Sequence, residues 1–270
     1  MPLPISRNQV DRLGERLAAG TPSEADRGLL LQVLAAYDEG LAAVEARLRS
    51  LGFAVTTRLK TTGTLIDKLR REQGMKLKSV QDIAGARIIV RGSRRDQDEA
   101  VARVMASVAA ASKPPTVRDR RVQPSSGYRA VHVVVFESGL PVEMQVRTQL
   151  QDLWAQVFER LGDRWGRAIR YGGLPDEPDA IALDGNPRMT RRHVVQGMQQ
   201  FSDEIDRVER ARLEIMDVED DMIMQWGDPT SQQYLALAGD AQELRAAIDG
   251  LEAELTRRLM LLVRYATQEA

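Results

Sequence analysis

Three residues that can bind phosphate recur at four-residue intervals: Lys60, Thr64 and Lys68. Residues four apart lie on one face of an α-helix, so a helix here would bring two ammonium groups and a hydroxyl together. Such a cluster is repulsive unless an anion neutralises it, which favours a bound triphosphate. Arg58, just upstream, adds a planar guanidinium that can stack on a base. Residues 58–95 hold eleven Lys and Arg against three Asp and Glu, although an ordinary solvated surface is the commoner origin of such a run.

Two carboxylates are candidates for metal binding or proton transfer. Asp82 precedes a small-residue turn that ends at Arg87, where the backbone can approach a ligand closely. Glu143, Gln145 and Arg147 alternate with apolar residues, so they would share the polar face of a strand. A glutamate there can bind Mg²⁺ through oxygen or accept a hydroxyl proton. The alternatives are a turn-capping role for Asp82 and a merely solvated strand face.

An aromatic turn leads into another strand. Residues 125–132 read Ser-Ser-Gly-Tyr-Arg-Ala-Val-His, in which Tyr128 can stack on a base and His132 follows on the strand. A tyrosine after a glycine is otherwise more often a packing residue. The turn is therefore a candidate nucleotide contact.

Strands and helices must hold these residues in place. Runs rich in β-branched residues predict three strands, at 86–91, 130–136 and 141–148. Helical spacing of apolar residues predicts helices at 23–50, from Thr61 or Thr62 to about Gln73, and at 96–111, 150–170, 201–222 and 244–262. The predicted fold class is α+β: a mixed β-sheet flanked by helices, with additional C-terminal helices. The predicted organisation is an N-terminal helical segment over 1–52, a core domain over 53–172, and a linker with a helical region over 173–270.

Composition narrows the class of protein. The 270 residues include no cysteine, which excludes disulfides and cysteine-ligated zinc and is typical of a reducing compartment. No apolar run approaches the roughly 18 residues that span a bilayer, so we expect a cytoplasmic protein with no membrane partner. The net charge of −1 argues against general nucleic-acid binding. The apolar stripe near the C-terminus makes a homo-oligomer through C-terminal helices an open alternative to simple packing.

Four motifs in fixed order resemble the synthetase domain of the RelA/SpoT family, the alarmone synthetases. They are Arg-Leu-Lys-x-x-x-Thr-x-x-x-Lys from Arg58, Asp-Ile-Ala-Gly-Ala-Arg from Asp82, Ser-Gly-Tyr-Arg-Ala-Val-His from Ser126 and Glu-Met-Gln-Val-Arg-Thr from Glu143. The resemblance covers about 110 to 120 residues. It implies transfer of pyrophosphate from ATP to the 3′-hydroxyl of GDP or GTP, with Mg²⁺ as cofactor and AMP as the leaving product.

The resemblance also implies a role for each matching residue. For ATP, Arg58 and Arg87 would enclose the adenine, and Lys60, Thr64 and Lys68 would hold the phosphates. Asp82 would ligate the metal. Glu143 would ligate the metal or activate the 3′-hydroxyl, supported by Gln145 and Arg147. The acceptor-side residues would be Tyr128, stacked on guanine, with Arg121, His132 and Asp152 nearby.

Three positions depart from the family pattern, all on the acceptor side. Pro124 stands where a lysine is common, Asp152 where an asparagine is usual, and Phe158-Glu159 where small synthetases usually carry Glu-His. Two alternatives therefore stay open. One is a toxic family member that pyrophosphorylates the 3′ end of tRNA, and the other is a degenerate homologue that binds nucleotide or a protein partner without catalysis.

Overall fold

The computed structural model describes residues 3, 5–20, 22–72, 74–108, 113–182, 189–226 and 232–268. The α-helices are α1 (Arg7–Ala19), α2 (Glu24–Ser50), α3 (Thr62–Arg71), α4 (Arg94–Ser107), α5 (Gln149–Trp165), α6 (Arg191–Trp226) and α7 (Gln232–Gln268). The strands are β1 (Val55–Leu59), β2 (Ala84–Val90), β3 (Thr116–Asp119), β4 (Val131–Glu137) and β5 (Leu140–Thr148). Short 3₁₀ helices cover Leu77–Ser79 and Arg167–Tyr171.

The five strands form one sheet in the order β1-β2-β5-β4-β3. The pairs β1–β2 and β4–β5 are antiparallel. A two-residue turn joins β4 to β5, and its residues Ser138 and Gly139 both have positive φ, at 51° and 80°, as a tight hairpin requires. The predicted α+β class, a mixed sheet flanked by helices with further helices at the C-terminal end, is confirmed.

The first of two compact units comprises residues 1–89, 99–118 and 131–146. In this unit α2 packs on β1 and β4, and α1 packs on α3. Helix α3 buries Leu65 and Leu69, so its polar residues lie on the other side. The predicted helix at 23–50 is confirmed. Ser23 is its N-cap and forms a capping box, and Gly52, at φ 84°, follows the helix.

The second unit comprises residues 90–98, 119–130 and 147–270. Its core is built by α5, α6 and α7, with Trp154, Val157 and Leu161 of α5 fully buried or nearly so. Both predicted C-terminal helices are confirmed and are longer than their apolar stripes. Residues 227–231, between the two helices, and part of the predicted linker lie outside the described residues. The two units interleave along the chain, and the domain boundaries derived from the sequence stay a prediction.

Three local predictions require correction. Strand β3 was not predicted, because Thr-Val-Arg-Asp carries too little apolar pattern to be recognised. Strand β2 begins at Ala84, two residues early, since its small residues fit the ladder opposite β1. Helix α5 ends at Trp165 and not near Arg170, because Gly166 has a φ of 96° that a right-handed helix cannot contain. Among the described residues, no helix is long and apolar enough to cross a membrane.

Candidate nucleotide-binding site

The two lysines of the predicted phosphate cluster converge on one carboxylate. In the first unit, Lys60 Nζ lies 3.1 Å from Asp82 Oδ2, and Lys68 Nζ lies 2.8 Å from Asp82 Oδ1. The lysine side chains are 19% and 18% exposed, and that of Asp82 is 30% exposed. The cluster therefore has the anion that its charge requires, and the chain itself supplies it.

Three elements bring these charges together. Lys60 follows β1 and extends its pairing with β2, since its backbone N–H donates to the carbonyl of Ile83 at 2.8 Å. Asp82 directly precedes β2, and Lys68 lies on α3, the helix that follows Lys60. Burial by itself would raise the pKa of Asp82, but the hydrogen bond from Lys68 and the charges of both lysines outweigh it and hold that pKa below its usual value. Asp82 is therefore ionised at neutral pH.

Thr64 lies in the first turn of α3, where its hydroxyl serves the helix end. The hydroxyl donates to the backbone carbonyl of Thr61 at 3.0 Å, and Thr61 is the N-cap whose side chain accepts from the Thr64 N–H. A capped helix N-terminus presents backbone N–H groups suited to anions. Thr64 and Lys68 are one helical turn apart, as the spacing predicted, whereas Lys60 lies just before the helix.

Two arginines lie on the paired strands β1 and β2. Arg58 pairs with Gly85 and Arg87 with Thr56, so the two side chains project from the same face of these strands on a diagonal. Arg58 is exposed and Arg87 is half-buried. A side chain at Gly85 would begin 3.7 Å from the carbonyl oxygens of both Arg58 and Glu143, which places β2 directly between the strands that carry them.

Glu143 and His132 form a hydrogen-bonded pair on β5 and β4. His132 Nδ1 lies 2.9 Å from Glu143 Oε1, and the two side chains are 15% and 17% exposed. His132 is directly opposite Gln145 and Val134 opposite Glu143, so the pair is a cross-strand diagonal on one face. Gln145 and Glu143 are half-buried and alternate with the buried Met144, as the sequence pattern predicted.

Asp82 and Glu143 offer the hard oxygen ligands that suit Mg²⁺. Within the described part of the chain, no group of three or more His, Asp or Glu residues is arranged to hold a metal. This donor set fits an ion that takes one or two protein carboxylates and completes its shell with substrate phosphates and water, the usual pattern for Mg²⁺. The metal-binding roles of the two carboxylates stay predictions.

In the second unit, Tyr128 is held by a buried arginine. Arg147 Nη2 donates to the Tyr128 hydroxyl at 3.0 Å, and the guanidinium carbon lies 5.0 Å from the ring centroid. Arg147 Nη1 donates to Asp152 Oδ1 at 3.0 Å, and the side chains of Arg147 and Asp152 are 1% and 3% exposed. Asp152 also accepts from Gln156 at 2.7 Å. Such enclosure suits Asp152 to orienting Arg147 more than to direct contact with a nucleotide.

Arg121 lies in the same unit and is engaged by side chains near it. It contacts Asp119 and Asp98, with its Nη2 2.7 Å from an oxygen of each, and its Nη1 donates to Gln97 at 3.1 Å. Its side chain is 12% exposed. A nucleotide that uses Arg121 would have to share it with these partners.

The sequence did not predict a polar network that lies in the second unit. Arg94 and Arg129 bind carboxylates of α6, and Thr148 donates to Glu209 of the same helix. Arg129 is the arginine of the Ser-Gly-Tyr-Arg motif, yet its partners on α6 lie more than 70 residues further along the chain. No spacing rule connects residues so far apart, so no local signal was available.

Part of the chain is similar to a known family and to curated proteins. Residues 57–161 match the family model described as the region found in RelA / SpoT proteins. Uncharacterized proteins of Mycobacterium tuberculosis (strain H37Rv) and Mycobacterium bovis are each 37% identical to the chain over 179 residues, which is 64% of this chain. The match spans 65% of the length of these curated relatives.

Solved structures are similar in fold. Small alarmone synthetase 1 from Bacillus subtilis has a TM-score of 0.51 at 23% identity, over 70% of this chain and 96% of that one. Small alarmone synthetase 2 from the same organism has a TM-score of 0.50 at 18% identity, over 68% and 96%. At these identities the likeness establishes the fold alone. Residues 57–161 therefore match the region found in RelA / SpoT proteins, and the fold is similar to that of the small alarmone synthetases.

Proposed function

We propose that this domain transfers the β,γ-pyrophosphoryl group of ATP to the 3′-hydroxyl of GDP or GTP, forming (p)ppGpp-type nucleotides. The 3′-oxygen attacks the β-phosphorus, the bond from that phosphorus to the α,β-bridging oxygen breaks, and AMP leaves. The observation that carries the proposal is the convergence of Lys60 and Lys68 on Asp82, in the region that matches this family. Two ammonium groups that already share one anion can exchange it for the phosphates of ATP.

On the donor side, Lys60 and Lys68 bind the phosphates of ATP. Thr64, in the first turn of α3, binds them at the N-terminal end of that helix. Arg58 and Arg87 hold the adenine, consistent with their common face on β1 and β2. An arginine guanidinium can stack on a base from either side because it is planar and weakly hydrated. Exchange of the lysines onto phosphate also releases Asp82 for a second task.

That second task is metal binding, with Asp82 and Glu143 as the protein ligands. When bound, Mg²⁺ neutralises charge that develops on the transferred phosphoryl oxygens. Lysine contact and metal contact compete for Asp82, because a carboxylate cannot hold two close ammonium groups and a divalent cation with equal strength. Nucleotide and metal binding should therefore be coupled.

Glu143 is the base that takes the proton of the 3′-hydroxyl. The hydrogen bond between its Oε1 and His132 Nδ1, at 2.9 Å, fixes the orientation of the carboxylate. A base positioned in this way lowers the barrier for attack by a hydroxyl. Gln145 is the next polar residue on the same strand face and supports this arrangement.

On the acceptor side, Tyr128 stacks on guanine. The ring is oriented by Arg147, which Asp152 holds in turn, so Asp152 acts through Arg147. His132 and Arg121 are the further acceptor contacts, in addition to their present partners.

The proposal is tested by incubating the purified protein with ATP, Mg²⁺ and one acceptor at a time, then resolving the products. The acceptors are GDP, GTP, ADP, ATP and deacylated tRNA. We expect AMP and a 3′-pyrophosphorylated guanine nucleotide in equal amounts. Transfer of pyrophosphate to tRNA alone would instead establish the tRNA-modifying alternative. Binding of ATP and GDP by calorimetry without any transfer would establish a catalytically degenerate homologue.

Glu143→Gln is the decisive variant, because it preserves shape and removes the charge. We expect transfer to fall by at least about a thousandfold while ATP binding changes little. Glu137→Gln is the matched control: Glu137 lies on the neighbouring strand with a side chain 25% exposed and pairs with Arg47. Equal activity of the Glu143 variant and the control would refute the role of Glu143 as base.

A further inference from the structure

The turn that presents Tyr128 has an unusual backbone. Ser126 and Gly127 have φ values of 52° and 87°, both in the left-handed region. The Tyr128 N–H donates to the Ser125 carbonyl at 2.9 Å, and the Ser125 N–H donates back at 3.3 Å. A non-glycine residue at positive φ is costly and persists only where surrounding contacts hold it. The turn therefore needs support beyond its own hydrogen bonds.

Helix α6 supplies that support through a buried serine. The Ser202 hydroxyl donates to the carbonyl of Gly127 and accepts from Arg129 Nε at 3.0 Å. Arg129 also donates to Asp203 at 3.0 Å and to Asp206 at 3.2 Å, so it is joined to α6 by three residues. Ser202 and Arg129 are only 2% and 7% exposed. Tyr128 thus lies between two residues that α6 holds directly.

The packing leaves the turn little freedom. A β-carbon on Gly127 would lie 2.8 Å from the indole of Trp154 and 3.3 Å from the β-carbon of Ser202. The indole N–H of Trp154 donates to the carbonyl of Met198, also on α6, at 2.6 Å. The turn, the indole and α6 are therefore packed as one block, and a displacement of α6 would move the turn.

We propose that Ser202 and Arg129 are positioning residues, through which α6 sets the orientation of Tyr128 and hence the affinity for the acceptor nucleotide. This inference rests on the proposed function for the part that concerns the acceptor. Helix α6 spans Arg191–Trp226 and lies beyond the family match at residues 57–161. The acceptor turn is thus governed by a segment outside the matched region, and whatever moves α6 changes acceptor binding before donor binding.

The test uses Ser202→Ala, which removes one oxygen without adding bulk. We expect the acceptor KM to rise about tenfold, the size of one lost hydrogen bond to a charged partner, while the ATP KM changes less than twofold. Ser107→Ala is the matched control, because Ser107 also donates from its hydroxyl to a backbone carbonyl, that of Val104 at 2.7 Å. A variant that merely folded less well would lose kcat and keep both KM values.

A second measurement does not depend on turnover. Amide hydrogen exchange of peptides covering 125–131 should accelerate at least fivefold in Ser202→Ala and remain unchanged in Ser107→Ala. Arg129→Lys, which keeps a cation but loses the guanidinium fork, should show the same acceleration. If the wild type transfers nothing, the proposed function fails, and exchange and GDP calorimetry still decide the inference. Unchanged exchange together with unchanged acceptor affinity would overturn it.

Discussion

Asp82 shares its carboxylate between two lysines, so its loss should lower stability and turnover but raise the affinity for metal-free ATP. Asp82→Asn removes the anion between Lys60 and Lys68 and keeps the side-chain volume. The folded protein should become less stable, because two ammonium groups with side chains about four-fifths buried lose their partner. Metal-free ATP should bind more tightly, because its phosphates no longer compete with a resident carboxylate. Turnover should fall, because a proposed metal ligand is lost.

The magnitude follows from the two contacts, at 2.8 and 3.1 Å. At an effective dielectric constant of about 20, each attraction is roughly 5–6 kcal/mol before desolvation is subtracted. Exposed pairs retain about 0–1 kcal/mol of this, and breaking buried pairs costs about 3–5 kcal/mol. Since these side chains are partly buried, we expect a loss of about 1–3 kcal/mol in the free energy of unfolding. A relief of about 1–2 kcal/mol corresponds to a roughly 5- to 30-fold gain in metal-free affinity.

Calorimetry with a non-hydrolysable ATP analogue, in EDTA and in Mg²⁺, measures the affinity change, and urea unfolding measures the stability change. The matched control is Asp11→Asn, because Asp11 also pairs with a lysine, Lys78, at 2.6 Å and its side chain is 10% exposed. The control should lose stability without any change in nucleotide affinity. Weaker metal-free binding by Asp82→Asn would refute the competition, and would indicate that Asp82 orients the lysines for phosphate instead of occupying them.

Three further outcomes are expected. Gly127→Ala should destabilise the fold by about 1–3 kcal/mol in urea unfolding, because φ is 87° and an indole would lie 2.8 Å from the new β-carbon; a neutral result would mean that the turn rearranges freely. Asp152→Asn should cost about 1–3 kcal/mol by the same assay, since buried Arg147 loses its nearer carboxylate, at 3.0 Å, and keeps only that of Glu159 at 3.7 Å, and a neutral result would contradict that role for Asp152. The hydrogen bonds from Arg16 and Ser23 lower the pKa of Asp26 to about 2, so the stability Asp26 contributes is present above about pH 4 and is lost as the pH falls towards 2. The stability difference between wild type and Asp26→Asn, followed by thermal unfolding across pH 2–6, should therefore close at the acid end, and a difference independent of pH would oppose this origin.

Local spacing predicted much of the first unit. The four-residue interval of Lys60, Thr64 and Lys68 indicated a shared location, and the structure brings both ammonium groups to one point. Alternation along β5 identified Glu143 and Gln145 as half-buried polar residues between apolar ones. These features were accessible because helix and strand periodicities relate residues only a few positions apart. The identity of the anion could not be predicted, since Asp82 is 14 residues from Lys68 and meets it only in the folded chain.

The second unit was harder to predict because its decisive contacts are distant in sequence. Arg129 and Ser202 are 73 positions apart, and the apolar stripe of α6 indicates only that the helix is amphipathic. The short strand β3 lacks an apolar pattern, and the end of α5 depends on the backbone angle of one glycine. In each case the tertiary structure selects among local options that the sequence leaves nearly equal in energy.

Exposure distinguishes the ion pairs that can open for a ligand from those that cannot. The lysines that hold Asp82 retain 18–19% exposure, so phosphate can replace the carboxylate while water still solvates the opened pair. Arg147 is 1% exposed and its partner Asp152 is 3% exposed, so separating them would leave two unsolvated charges, at a cost that no single nucleotide contact offsets. The first pair is therefore suited to binding, and the second to holding Tyr128 in place. We expect ATP to change the chemical shifts of the Lys60 and Lys68 ammonium groups and to leave the Arg147 guanidinium signals unmoved; a large shift at Arg147 on addition of ATP alone would contradict this division.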